Sequence, residues 1–141
     1  MPAETPSVLT SSAYLHRVNE PLALLLSSRG TIATQLAERL EALRYRMVAV
    51  ADPVQLGPFA EAEKPLVVLA DLEGREELVI RAVGQLRGQA STMHIPVIGF
   101  RRELEDTAQS ALAARGFTVA ASEAAILNHL PQLLERALDV Q

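Results

Sequence analysis

Asp71 closes the run PLVVLAD, Pro65 to Asp71, so the chain delivers a lone carboxylate to the end of an apolar segment. Such an acid either works as a chemical group or turns the chain and pairs with an arginine, and the second role is the commoner one for Asp. The tetrapeptide Ser27-Ser28-Arg29-Gly30 follows another apolar run and could cradle an anion at a helix N-terminus, with Arg29 as the cation. It is neither G-x-G-x-x-G nor a P-loop, so an ordinary polar turn explains it equally well. Asp52, Arg101, Arg102, Ala121 and Ser122 hold the corresponding places after other apolar runs. His16, His94 and His129 stand far apart and lack any H-x-x-x-H spacing, which argues against a metal centre. No G-x-S-x-G elbow supports a Ser-His-Asp hydrolase, and the chain reads as no enzyme. The absence of cysteine excludes disulfides, thiolate metal sites and Cys nucleophiles, and fits a reducing compartment.

LALLLS (Leu22 to Ser27), MVAVA (Met47 to Ala51), LVVLA (Leu66 to Ala70), PVIGF (Pro96 to Phe100) and FTVAA (Phe117 to Ala121) are short apolar runs of the kind found in strands covered on both faces. Helical periods lie between them. TIATQLAERLEALR places Ile32, Leu36, Leu40 and Leu43 on one face with Glu38 and Arg39 on a solvated one. VQLGPFAEAE reads as a weak helix broken by Gly57 and Pro58. EELVIRAVGQLRG turns Leu78, Val79, Val83 and Leu86 inward and stops at Gly88. DTAQSALAARG ends at Gly116, and Ser122 caps a last helix in which Pro131 forces a kink or restart. That last helix, with Leu127, Leu130, Leu133, Leu134 and Leu138, holds more leucine than one inner face needs, and the surplus could meet a partner.

Strands alternating with helices imply parallel pairing through right-handed crossovers, hence an α/β three-layer sandwich. About 120 residues are too few for an eight-fold barrel, which needs roughly 200 or more. In the open doubly wound sheet that remains, ligands bind beyond the carboxyl ends of the strands, where the residues named above stand. Residues 1–20 have little to bury and read as a flexible tail, in which SAYLHRVNE could form a short docking helix; residues 21–141 form the domain.

A net charge of −4 with a single lysine, Lys64, opposes a nucleic-acid surface. No apolar run spans a membrane and the N-terminus lacks a secretory pattern, so the expected location is the cytoplasm.

Several pieces together resemble the receiver domain of bacterial response regulators: HIPVIGF at the fourth strand, PLVVLAD at the third, VAVAD at the second and ARGF before the fifth. The resemblance runs from Pro21 to Val140 and implies a flavodoxin-like sheet of order 2-1-3-4-5, with Asp71 at the phosphoacceptor position. It also implies a site that has lost its other parts. The family's acidic pair, which holds magnesium with the acceptor, is replaced by Ser27 and Ser28. The hydroxyl after strand four is replaced by Arg101, and the lysine after strand five falls at Ala121 or Ser122. Two hydroxyls in place of two acids remove most of the charge that would draw a metal, so no metal or other cofactor is expected.

The expectation is therefore a non-catalytic, receiver-like signalling module acting by protein–protein contact, independent of phosphorylation. An Arg101–Asp71 pair would then tie the third and fourth strand ends together. Its partner could be a histidine kinase, an output domain, another regulator or a second copy in a homodimer. Two alternatives remain open: a divergent receiver phosphorylated on Asp71 in a phosphorelay, and a small α/β protein that binds an anion or nucleotide.

Overall fold

The computed structural model of the chain describes residues 20–139. The expected tail and its docking helix, up to Asn19, lie outside the described residues. The strands are β1 (Leu22–Leu26), β2 (Arg46–Val50), β3 (Val67–Asp71), β4 (Val97–Arg101) and β5 (Val119–Ser122), in one parallel sheet of order β2-β1-β3-β4-β5. The helices are α1 (Gly30–Ala42), α2 (Leu56–Glu63), α3 (Glu76–Arg87), α4 (Asp106–Ala114), α5 (Glu123–Asn128) and α6 (Leu130–Asp139), with a 3-10 turn at Pro53–Gln55 before α2. The expected sheet order and flavodoxin-like architecture are those observed.

Side chains on a strand alternate between faces, and this splits the core in two. One layer holds Ala23, Leu25, Val67, Leu69, Ile98, Phe100, Val119 and Ala121 against α1, α5 and α6. The other holds Leu24, Leu26, Val68, Ala70 and Leu72 against α2, α3 and α4. Near-continuous apolar runs were the signal for this double burial, and β1 and β3 are buried at every position. β2 stands at the sheet edge, and Arg46 and Ala49 are exposed there. Gly99 on β4 is a packing necessity, because a Cβ there would lie 2.6 Å from Cδ2 of Phe117.

Four local expectations need correction. Gly57 and Pro58 do not break α2, because they are its second and third residues, where the backbone N–H has no intrahelical acceptor to lose. Leu78 is 51% exposed, and the inner face of α3 is instead Val79, Ile80, Ala82, Val83 and Leu86. Arg39 is not simply solvated: its Nε donates to the Leu127 carbonyl at 2.6 Å and joins α1 to α5. The last leucines leave no free stripe. The helix restarts at Leu130 with Pro131 as its second residue, so α5 and α6 are separate helices that meet at His129. Leu130, Leu133 and Leu134 are buried, Leu127 packs against the same core, and Leu138 is half-buried.

Among the described residues, no helix is long and apolar enough to cross a membrane.

Candidate functional site

Asp71 is the last residue of β3 and only 2% exposed. It points to the α1 side of the sheet, in register with Phe100. A carboxylate so placed needs donors on both oxygens, and it has four. Ser27 Oγ donates to Oδ2 at 2.8 Å, and Arg29 Nε donates to the same oxygen at 2.8 Å. Arg29 Nη2 donates to Oδ1 at 2.9 Å, and the Glu73 backbone N–H donates to it at 3.0 Å.

Each donor is placed by local structure. Ser27 extends β1 by one ladder bond to the Val50 carbonyl, and its hydroxyl accepts from the Arg29 N–H at 3.1 Å, which orients it towards Asp71. Arg29 is the N-cap of α1 and is extended there, so its side chain turns back across the strand ends. Glu73 reaches Asp71 through the tight turn after β3, in which Gly74 takes φ 81°, a left-handed conformation that suits glycine.

Arg29 does not stop at Asp71. Its Nη1 donates to Glu123 Oε1 at 2.8 Å, so one guanidinium bridges two carboxylates from β3 and α5. Hydrogen bonding to Asp71 holds Arg29 above its already high ordinary range, against the lowering effect of burial, and Glu123 pushes in the same direction. Glu123 is the first residue of α5, placed by the Ser122 cap, whose Oγ accepts from the Ala125 N–H at 3.2 Å.

The expected Arg101–Asp71 pair does not form. Arg101 ends β4, and alternation sends its side chain to the face opposite Phe100 and Asp71. There its Nη1 meets Glu76 Oε1 of α3 at 2.5 Å and its Nε donates to the Glu103 carbonyl. Ser28 is exposed, Ala121 is buried in register with Phe100, and Asp52 caps the 3-10 turn by accepting from the Val54 N–H. Of the positions after the strands, the fold thus gathers Ser27, Arg29 and Asp71 and leaves Asp52, Arg101 and Ala121 elsewhere. Glu123 was missed in sequence; its one signal was an acid directly after a capping serine. His94 and His129 are exposed on separate elements, and among the described residues no three of His, Asp and Glu gather as for a metal.

The magnesium ion that this fold implies does not fit the residues present. Asp71 has no free oxygen, its neighbour Ser27 donates rather than ligates, and a guanidinium already supplies the positive charge.

No protein-family model and no curated protein sequence matches the chain. Solved structures do. The receiver domain of a sensor histidine kinase from Pseudomonas aeruginosa, which has a magnesium ion in its active-site cleft, is 20% identical with a TM-score of 0.74, over 85% of this chain and 98% of that one. A response regulator from Chloroflexus aurantiacus is 15% identical with a TM-score of 0.76, over 86% and 99%. The chemotaxis protein CheY4 of Vibrio cholerae is 18% identical with a TM-score of 0.75, over 84% and 99%. The chain has the fold of a response-regulator receiver domain.

Proposed function

We propose that this chain is a receiver-like signalling module that acts by protein–protein contact and without phosphorylation. The observation that supports it is the saturation of Asp71 by Ser27, Arg29 and the Glu73 N–H. Phosphoryl transfer to a carboxylate requires a free attacking oxygen and cations that neutralise charge on the incoming group. Here both oxygens are engaged and the cation is committed to the ground-state carboxylate. In the Pseudomonas aeruginosa relative a magnesium ion occupies the cleft; in this chain Arg29 takes over the work of neutralising the aspartate. The module's natural setting is bacterial signal transduction or transcriptional control in the cytoplasm. Its partner is a histidine kinase, an output domain, another regulator or a second copy, and it involves neither direct nucleic-acid contact nor a membrane.

Incubation with Mg2+ and a small acyl phosphate, followed by intact-mass measurement, tests this reading. No adduct is expected. A single phosphoryl adduct that Asp71→Ala removes overturns it in favour of a divergent receiver phosphorylated on Asp71.

A further inference from the structure

The described chain opens at Glu20, and Glu20 lines a groove of about 560 Å³ at the end of the sheet opposite Asp71. Pro21, Leu66, Ile95, Pro96 and Leu138 give the groove its apolar lining, where β1, β3 and β4 begin and α6 ends. Leu66 is 43% exposed although the five residues after it, Val67 to Asp71, are all buried. Exposed apolar surface gathered in one concavity marks a contact site. The chain itself carries a matching surface. Residues 1–19 lie outside the described residues, and near their end Leu15 and Val18 stand three apart, the spacing of one face of a helical turn. Pro21 disfavours helical backbone at Glu20, so a helix in this segment ends there. Val18 precedes Glu20 by two residues and Leu15 by five, so even an extended chain leaves them within about 7 and 18 Å of it.

We propose that residues 12–19 fold back as a short helix and seat Leu15 and Val18 in this groove, covering Leu66. The tether decides the occupant. So short a connection holds the two side chains beside the groove at a roughly millimolar effective concentration, which a second copy at cellular dilution does not match. The docked segment closes the end of the sheet where the strands begin and leaves the Asp71 end open. Contacts with other proteins then fall on other faces, and the inference stands whether or not Asp71 accepts a phosphoryl group.

The full chain is studied by NMR, with nuclear Overhauser contacts between side-chain methyl groups and with amide hydrogen exchange. Contacts from the Leu15 and Val18 methyls to those of Leu66 and Leu138 are expected in the wild type. In a mixture of isotope-labelled and unlabelled chains, filtered for contacts between molecules, the same contacts are expected to vanish. Leu15→Asp/Val18→Asp should remove them and speed exchange at residues 15–19 by about tenfold or more. Leu66→Asp should do the same from the groove side, with exchange in the sheet unchanged as the sign of an intact fold.

Wild-type Leu15 and Val18 methyls that touch neither Leu66 nor Leu138 overturn the inference, even if a variant fails to fold. Contacts that persist between molecules in the mixed sample overturn it in favour of a second copy. Exchange at residues 15–19 that is equally fast in the wild type and in folded Leu15→Asp/Val18→Asp overturns it too.

Discussion

Arg29 lies side-on against Asp71, with Nε 2.8 Å from Oδ2 and Nη2 2.9 Å from Oδ1, while Ser27 and the Glu73 N–H complete the carboxylate's shell. The pair joins the start of α1 to the end of β3, and β1 supplies the serine between them. Removing the arginine leaves an uncompensated charge in a 2%-exposed position, whereas removing the acid leaves a 23%-exposed guanidinium that still has Glu123.

The two single losses should therefore be unequal. Arg29→Ala is expected to cost about 3 kcal/mol, the low end for breaking a buried pair because Arg29 retains some solvent. Asp71→Asn is expected to cost less, and the double-mutant cycle to return a coupling of about 2 kcal/mol in urea unfolding. Coupling below about 0.5 kcal/mol would reduce the pair to a surface contact.

Arg87 does comparable work far from the site. Its Nη1 donates to the Met93 and Ile95 carbonyls at 2.8 and 2.7 Å, and its Nε donates to the Gly116 carbonyl at 2.9 Å. Burial pushes its pKa down, and neutral acceptors, these carbonyls together with the Thr118 hydroxyl 3.4 Å from Nη2, satisfy it. Arg87→Met should destabilise the domain by about 2 kcal/mol through the stranded carbonyls. Hydrogen exchange should then accelerate first in the turn before β4 and in the turn after α4, and uniform acceleration would contradict this account.

Gly99→Ala places a methyl group against the Phe117 ring at 2.6 Å, with Leu72 Cδ1 at 3.4 Å behind it. Overpacking of this kind costs about 1–3 kcal/mol. Adding Phe117→Leu should recover part of the loss, and a double variant no more stable than the sum of its parts would show that the clash is relieved elsewhere.

Burial raises the Tyr45 phenol above its ordinary value. The folded state then keeps the phenolic proton longer than the unfolded chain. This contribution to stability is fully present below the unfolded phenol value, near 10, and is lost as pH climbs through the higher folded one. In a Tyr14→Phe variant, where Tyr45 is the sole tyrosine, phenolate absorbance should rise with a midpoint above that of the urea-unfolded protein. Coincident midpoints would contradict the burial.

The layer architecture was legible because it rests on local signals. Leu22 to Leu26 and Val67 to Ala70 are too uniformly apolar to face water on either side, and the i, i+4, i+8 spacing of Ile32, Leu36 and Leu40 suits a helix covering them. The Ser122 cap and the helix restart next to Pro131 were legible for the same reason, since each acts within one turn of backbone. Leu78 misled because a helical period has some latitude in phase, and only the packing of α3 on the sheet selects which apolar residues turn inward.

At the site, the sequence by itself determined which residues stand at the strand ends: Ser27, Asp71 and Arg101, with Arg29 two residues beyond Ser27. Which arginine meets Asp71 was a tertiary decision. Strand alternation turns Asp71 and Phe100 to one face and Arg101 to the other, and the side on which each helix packs brings Arg29 and Glu123 to the Asp71 face. Charge alone made both arginines eligible. Only the three-dimensional path of α1 and α5 over the sheet brought one guanidinium within 2.9 Å of the buried acid and left the other paired to Glu76.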